Sequence, residues 1–261
     1  MNKPFLRSRQ LTFTVMAWAC LFGAGCSKSE TSVPASAGAA SALAIAPGAA
    51  KSQEAGVIVV LGSSTAAGTG PSKPQNAWVE RYRSYLTQNF PKFELINLAV
   101  GGYTTYQMQP SEYQPPAQRP APDAKHNITK ALSFQPNAIL INLPSNDQAS
   151  GFSLAEQLTN YDRVTQLAAQ HGVSFWATTP QPRNFAELAQ RNELIGARTA
   201  IQQKFGDHTL DFWSPFAEAD GRLDAKYDSG DGTHMNDAAH ALLVQQVILA
   251  KIPEAILSAR H

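Results

Sequence analysis

The side chains with the clearest potential for chemistry are a serine, an aspartate and a histidine that lie far apart in the chain. Ser64 belongs to segment 62–68, which begins and ends in glycine and contains a pair of serines. Asp231 comes shortly before His234, close enough for its carboxylate to reach one ring nitrogen. A serine hydroxyl is a weak nucleophile that needs a base to take its proton, and histidine suits that role because its unperturbed pKa of about 6.5 is near neutral. These residue types permit nucleophilic attack on a carbonyl group if the fold brings them together.

Two further segments could supply hydrogen-bond donors to the negative charge that develops during such an attack. Segment 97–102 ends in a pair of glycines, and segment 143–147 contains Asn146. Each residue also has an ordinary structural interpretation when it is taken alone. Ser64 could be a turn residue or a helix cap, Asp231 could start an Asp-Gly turn, and Asn146 could form an Asx-turn. Their joint placement in the fold decides between these interpretations.

The elements that must position these side chains are indicated by alternating strand and helix patterns. Continuous apolar or β-branched runs predict strands over 57–61, 93–98, 138–143, 173–178 and 209–212. Apolar positions at helical spacing predict helices over 77–90, 128–134, 153–170, 186–205 and 237–251. Ser153 and Glu156 form a capping-box pair at the start of one helix, and Asn236 caps the last. The alternation predicts a single α/β domain of the flavodoxin-like type, with three layers and a five-stranded parallel sheet flanked by helices.

The polar segments follow the first three predicted strands or precede the last predicted helix. In open parallel sheets, ligands bind at the carboxyl ends of the strands, so these segments should meet at one edge. In chain order they are Gly62-Ser63-Ser64-Thr65-Ala66-Ala67-Gly68, Asn97-Leu98-Ala99-Val100-Gly101-Gly102, Leu143-Pro144-Ser145-Asn146-Asp147 and Asp231-Gly232-Thr233-His234. Together they resemble the four motif blocks of the SGNH hydrolases, also called the GDSL esterases and lipases, and the resemblance covers essentially the whole domain 56–261.

This resemblance implies a role for each matching position. Ser64 corresponds to the nucleophile, and Asp231 and His234 correspond to the pair that activates it. Gly102 and Asn146 correspond to oxyanion-hole donors, which act together with the backbone N–H of Ser64. The resemblance therefore implies a serine ester hydrolase that works through an acyl-serine intermediate, with no metal and no organic cofactor.

The sequence departs from the family pattern at two places and is less informative about the substrate. Ser63 replaces the aspartate of the Gly-Asp-Ser motif, and Pro144 stands where glycine commonly precedes the Asn-Asp pair. No cap rich in leucine and phenylalanine is evident, so small acyl groups, acetyl above all, on carbohydrate or related esters are the expected substrates. A lysophospholipase or thioesterase of the same family is the alternative, and a non-catalytic envelope lipoprotein that binds carbohydrate is the alternative from another class.

Other kinds of site fit the sequence less well. Gly62 and Gly68 follow the first predicted strand, but their spacing and the Thr69 that follows do not match a phosphate-binding P-loop. A metal site built from Asp228, Asp231 and His234 would not have the spacing of a calcium loop. The formal net charge of +1 with no long basic block argues against nucleic-acid binding.

A long segment between Gly102 and His126 contains Tyr103, Tyr106 and Tyr113 together with several prolines. A connection of this length in a compact domain is usually either functional or disordered. It could form one wall of a substrate cleft, with tyrosines stacking on sugar rings. A surface excursion without a role in binding is equally compatible with the sequence.

The N-terminal region predicts export. Residues 1–25 contain basic residues followed by an apolar run that is short for a membrane span, which is typical of a signal peptide, although an uncleaved anchor is the alternative. Cys26 follows at once and resembles the lipidated cysteine of bacterial lipoproteins, with Gly23 where that family usually has leucine. Residues 26–55 then form an Ala/Ser/Pro-rich flexible tether. We therefore expect a monomer in the bacterial cell envelope, facing the periplasm or the surface, that contacts the membrane only through its N-terminal lipid.

Overall fold

The computed structural model describes residues 54–259. The predicted signal peptide, the lipidation at Cys26 and nearly all of the predicted tether lie outside the described residues. Five parallel strands form one sheet in the order β2-β1-β3-β4-β5. The strands are β1 (Gly56–Gly62), β2 (Phe93–Asn97), β3 (Ala138–Asn142), β4 (Ser174–Thr178) and β5 (Thr209–Leu210).

The central strand β1 shows why the sheet is covered on both faces. Its side chains alternate between the two faces, as the twofold repeat of a strand requires. Ile58 and Val60 join one apolar cluster, and Val59 and Leu61 join the other. All four side chains are fully buried. A continuous β-branched run is therefore needed here because neither face of the strand meets water.

Helices pack on each face of this sheet. They are α1 (Ser64–Ala67), α2 (Trp78–Asn89), α3 (Ile128–Leu132), α4 (Asn146–Ala149), α5 (Leu154–Gln170), α6 (Leu188–Phe205), α7 (Asp237–Leu249) and α8 (Ile252–Ser258). Apolar residues of α2, α7 and α8 belong to the cluster that contains Ile58. Residues of α3, α5 and α6 belong to the cluster that contains Val59. The predicted three-layer α/β fold with a five-stranded parallel sheet is confirmed.

Two features of the helices differ from the prediction. The segments after β1 and β3 were expected to be loops, but short helices begin there at Ser64 and Asn146. The predicted helix 237–251 ends at Leu249 and resumes as α8, because Lys251 adopts a left-handed conformation with φ of 50° just before Pro253. Proline is tolerated in the first turn of a new helix but not in a helix interior. The stretch Asp237–Ser258 is long and apolar enough to cross a membrane by composition alone, yet it packs on the core as these two helices.

Pairing of the strands brings three of the polar segments to one edge. Gly62 at the end of β1 is in register with Asn142 at the end of β3, and Val60 is in register with Asn97 at the end of β2. Beyond the strands, the N–H of Ser63 donates to the carbonyl of Asn142 at 3.0 Å. The segments that follow these strands therefore leave the sheet side by side at its carboxyl edge.

Candidate active site

Asp231 and His234 form a hydrogen-bonded pair. The Oδ2 atom of Asp231 lies 2.6 Å from Nδ1 of His234. The other carboxylate oxygen accepts the backbone N–H groups of Thr233 at 2.9 Å and His234 at 2.8 Å. Burial alone would raise the pKa of Asp231, but these hydrogen bonds lower it to about 2, so the group is ionised at neutral pH. Because Nδ1 faces the carboxylate, Nε2 of His234 is left to exchange protons with a substrate or with a nucleophile.

A second aspartate shapes the turn that carries this pair, residues 228–234, which we call the histidine turn. Asp228 Oδ1 accepts the N–H groups of Gly230, Asp231 and Gly232 at 2.8, 3.1 and 3.0 Å. Gly232 has a φ of 67°, which disfavours a residue with a side chain. A carboxylate that collects several backbone donors fixes the path of the chain, so Asp228 positions Asp231 through its backbone N–H.

Ser64 is the first residue of α1, so its N–H has no partner within that helix. The residue is 8% exposed. Its hydroxyl makes no hydrogen bond to any residue in the range 54–259, including His234. Hydrogen bonds between catalytic groups are often long in unliganded enzymes and shorten when substrate binds. The structure therefore brings Ser64 to the site with its hydroxyl unengaged.

The loop that follows Ser64 packs directly against the histidine turn and its continuation. The N–H of Thr69 donates to the carbonyl of Ser64 at 2.9 Å. Gly70, with a φ of 108°, lies against His234 and Met235. A Cβ atom on Gly70 would collide with the Met235 carbonyl and lie 3.2 Å from the Cβ of His234. These contacts hold the predicted nucleophile and the predicted base in one region, although the sequence separates them by most of the domain.

The predicted oxyanion-hole residues lie on segments that contact the serine segment. A Cβ atom on Gly101 would lie 3.9 Å from the Cβ of Ser64, which places the glycine pair against the serine. Gly102 is exposed with a φ of 84°, and its N–H donates to no residue in the described part of the chain. Asn146 Nδ2 donates to the Ser63 hydroxyl at 2.7 Å and to the Tyr103 carbonyl at 2.9 Å. The amide is thus anchored between the serine segment and the glycine segment.

A buried carboxylate lies immediately behind these donors. Asp147 is 1% exposed and accepts the Thr105 hydroxyl at 2.5 Å and the Thr105 N–H at 3.1 Å. Burial raises the pKa of Asp147 to about 6, although the bonds from Thr105 oppose that rise. Asp147 therefore links the segment after β3 to the segment that carries Gly102.

The long segment between Gly102 and His126 is held down by its own aromatic residues. Tyr106 is 2% exposed and donates to Glu156 at 2.8 Å. The guanidinium of Arg163 lies 4.0 Å from the ring centre of Tyr113. Tyr103 donates its hydroxyl to Asp123. With Tyr106 buried and one face of Tyr113 covered, the structure lends no support to sugar stacking on these two rings.

A further element of the site has no counterpart among the sequence motifs. The loop after β4, residues 179–187, contacts three of the segments described above, and we call it the β4 loop. Gln181 accepts the Thr65 hydroxyl at 2.8 Å, and Asn184 donates its N–H to the Gly232 carbonyl at 2.7 Å. Arg183 reaches the Ser145 hydroxyl at 3.4 Å. The only signal for this loop was topological, since it too leaves the carboxyl edge of the parallel sheet.

The metal alternative does not fit the geometry of residues 54–259. No group of three or more His, Cys, Asp or Glu side chains converges within this range. Asp228 and Asp231 direct their oxygens to backbone N–H groups and to the His234 ring. The acidic residues near His234 therefore order the turn and the imidazole.

Comparison with known proteins relates this arrangement to one family. Residues 60–242 match the model of the GDSL-like lipase/acylhydrolase family. This span contains all five predicted site residues of the domain. No curated protein sequence shows a match to this chain.

Solved esterase structures share the fold at low sequence identity. Psychrotrophic esterase EstA from Pseudoalteromonas sp. is 18% identical with a TM-score of 0.55, over 75% of this chain and 96% of that one. A carbohydrate acetylesterase family member from Sinorhizobium meliloti is 15% identical with a TM-score of 0.53, over 78% of this chain and 99% of that one. A two-domain esterase active on acetylated mannans is 16% identical with a TM-score of 0.51, over 75% of this chain and 48% of that one. At these identities the likeness is one of fold.

Proposed function

Because this chain belongs to the GDSL-like lipase/acylhydrolase family and is a carboxylic ester hydrolase, we propose that it removes small acyl groups, chiefly acetyl, from carbohydrate esters. The proposed nucleophile is Ser64, the proposed base is His234, and the reaction passes through an acyl-serine. The observation that carries this proposal is the 2.6 Å pairing of Asp231 with His234 at the sheet edge where Ser64 begins its helix.

In the first half of the reaction, His234 Nε2 takes the hydroxyl proton as Ser64 Oγ attacks the ester carbonyl carbon. The ionised Asp231 holds Nδ1 and stabilises the imidazolium that forms. The carbonyl oxygen becomes an oxyanion, which the backbone N–H groups of Ser64 and Gly102 and the amide of Asn146 stabilise. The tetrahedral intermediate then collapses, the C–O bond to the alcohol breaks, and the imidazolium returns its proton to the departing alkoxide.

In the second half, water replaces the alcohol as the attacking group. His234 takes a proton from this water as its oxygen attacks the acyl carbon, and the same donors stabilise the second oxyanion. Collapse breaks the bond to Ser64 Oγ, which recovers its proton from His234, and the carboxylic acid leaves. Asn146 can donate to these oxyanions only by releasing one of the two acceptors that it holds in the unliganded structure.

Two observations support a small acyl group and a carbohydrate. The residues beside Ser64 are small: Ser63 precedes it and Gly101 lies against its Cβ, while Asn146 binds the Ser63 hydroxyl. Proteins with the same fold include a carbohydrate acetylesterase family member and an esterase active on acetylated mannans. A lysophospholipase or thioesterase activity of the same family remains the alternative reaction.

The proposed substrate class is tested with a panel of acetylated sugars, lysophospholipids and acyl thioesters. We expect the largest kcat/KM with an acetylated sugar, and we expect the Ser64→Ala variant to lose activity on every ester. A larger kcat/KM for a lysophospholipid or a thioester would transfer the proposal to that class. Carbohydrate binding without any turnover would identify a non-catalytic envelope protein.

We also propose that the protein is exported to the bacterial envelope and held there by a lipid on Cys26. This proposal rests on the basic and apolar pattern of residues 1–25 and on the position of the cysteine directly after it. Cell fractionation of the wild type and of Cys26→Ser tests it. Release of the variant in soluble form supports the lipid anchor, and identical membrane retention of both proteins contradicts it.

A further inference from the structure

Arg183 occupies a position in the β4 loop between the segments that carry the proposed catalytic groups. Its Nη1 atom lies 3.4 Å from the hydroxyl of Ser145, the residue before Asn146. The next residue, Asn184, donates its N–H to the carbonyl of Gly232 in the histidine turn. Arg183 therefore lies next to the segment that carries Asn146, and its neighbour Asn184 ties the β4 loop to the turn that carries Asp231 and His234.

The guanidinium of Arg183 is poorly satisfied by the protein. An arginine side chain carries five N–H donors. In the described part of the chain, Arg183 uses them for the single long contact to Ser145 and forms no ion pair. Its charged group lies 4.8 Å from the ring centre of Phe185. Other arginines within this range, such as Arg119 and Arg191, bind carboxylates directly.

The surroundings of Arg183 make an unpaired charge there costly. The side chain is half-buried, and burial lowers its pKa although the nearby charge of Asp231 opposes the change. Asp231 forms no ion pair with Arg183 in the described part of the chain, and its oxygens instead bind the His234 ring and backbone N–H groups. A partly desolvated cation with spare donors is a binding group for an anion.

We propose that Arg183 binds a carboxylate on the alcohol portion of the substrate, so that the natural ester is an acetylated acidic sugar or a similar acidic alcohol. This inference rests on the proposed function. The alcohol portion is favoured because His234 must protonate the departing alkoxide, and Arg183 lies beside the aspartate that holds His234. A carboxylate is favoured over a phosphate because the negative charge of Asp231, which acts on Arg183, would repel a dianion more strongly than a monoanion.

A matched pair of aryl acetates tests this inference. The anionic substrate is 4-acetoxybenzoate, and the neutral one is 4-acetoxybenzamide. The measured quantity is the ratio of kcat/KM for the anionic ester to kcat/KM for the neutral ester, in the wild type and in each variant. Intrinsic differences in reactivity between the two esters cancel when these ratios are compared between proteins.

We expect Arg183→Gln to lower this ratio by about tenfold or more, as the loss of a charged hydrogen bond predicts. The ratio for Arg183→Lys should lie between those of Arg183→Gln and the wild type, since lysine keeps the charge but lacks the planar fork. The control Arg222→Gln removes the same charge at an exposed residue paired with Asp220, and its ratio should match the wild type. Added salt should lower the wild-type ratio.

A second measurement does not depend on the folding of any variant. The product analogue 4-hydroxybenzoate should inhibit the wild type more strongly than 4-hydroxybenzamide. Equal inhibition by the two compounds, or equal ratios in the wild type and Arg183→Gln, would overturn the anionic substrate while leaving the esterase in place. Failure of the wild type to hydrolyse either ester would instead overturn the proposed function, and the inference with it.

Discussion

Asn146 and Ser63 are joined by a 2.7 Å hydrogen bond in which the side-chain amide donates to the hydroxyl. Ser63 is fully buried and directly precedes the proposed nucleophile, Ser64. It stands where the Gly-Asp-Ser motif of the family has aspartate. The departure from the family motif therefore preserves an acceptor for the amide but removes a negative charge from the interior of the site. With a neutral acceptor, the amide can exchange this bond for one to an oxyanion without a carboxylate standing next to that oxyanion.

Truncation of this pair should affect catalysis more than substrate affinity. We expect Asn146→Ala to lower kcat by about 10²- to 10³-fold, as is typical for the loss of one oxyanion donor. Ser63→Ala leaves the donor in place, held only by the Tyr103 carbonyl, and should lower kcat by a smaller factor, about tenfold. Steady-state kinetics with p-nitrophenyl acetate measure both effects. Ser84→Ala, on the exposed face of α2, is the control; a wild-type kcat in Asn146→Ala would remove this residue from the mechanism.

Asp231→Asn should lower kcat strongly while leaving the fold intact. The amide cannot stabilise an imidazolium and favours the wrong tautomer of His234, so a loss of about 10³- to 10⁴-fold is expected. Because the pKa of Asp231 is about 2, this carboxylate stays ionised throughout ordinary assays. Steady-state kinetics with p-nitrophenyl acetate at neutral pH measure the loss, and a wild-type kcat in Asp231→Asn would contradict the role of this carboxylate in catalysis.

Asp228 should act through geometry alone. Replacement by alanine leaves the N–H groups of Gly230, Asp231 and Gly232 without their acceptor, so the histidine turn loses its fixed path. We expect kcat to fall by about tenfold or more with little change in KM, because a small misplacement of a catalytic group is costly. The control is Asp224→Ala, which removes a similar bond to the Lys226 N–H. Equal kinetic effects of the two variants would show that the loss is not specific to the histidine turn.

Much of the architecture could be predicted from the sequence because local rules and tertiary packing agree. The run at 57–61 is apolar at every position, and the structure buries it on both faces. The capping box of Ser153 and Glu156 forms as predicted at the start of α5. The last strand was predicted over 209–212 but ends at Leu210, and the Phe212 N–H donates to the Thr179 hydroxyl instead of continuing the ladder. That ending depends on a side chain from another loop, which no local pattern reveals.

The site was only partly accessible to sequence analysis. Motif order pointed to Ser64 and His234, but the contacts that bring their loops together involve Gly70 and the Met235 carbonyl, a pairing set by the fold. No sequence motif indicates the β4 loop as part of the site. Arg183 becomes informative only when its missing ion-pair partner and its neighbours in space are known.

Asp147 gives the folded state a pH dependence of its own. Its pKa is raised by burial from 3.8 to about 6, so the folded protein binds this proton more tightly than the unfolded chain does. The stability contributed by this group is therefore complete below about pH 4 and is lost as pH rises through about 6. Asp147→Asn lacks this titration. Relative to the wild type, its free energy of unfolding should rise by about 2 kcal/mol between pH 4 and pH 7.

Urea unfolding of the two proteins at several pH values measures this difference. Thr105 can still donate its hydroxyl to the asparagine carbonyl oxygen, so the fold should persist in the variant. A difference in unfolding free energy that does not change with pH would show that Asp147 titrates normally in the folded protein.

The covalent intermediate is the most direct test of the proposed mechanism. Wild-type protein is mixed with p-nitrophenyl acetate, quenched in acid during turnover and digested, and the peptides are analysed by mass spectrometry. We predict one acetyl group on Ser64 in the wild type, and neither the adduct nor ester hydrolysis in a folded Ser64→Ala variant. An acetyl group on a different residue, or full hydrolysis by Ser64→Ala, would contradict the assignment of Ser64 as the nucleophile.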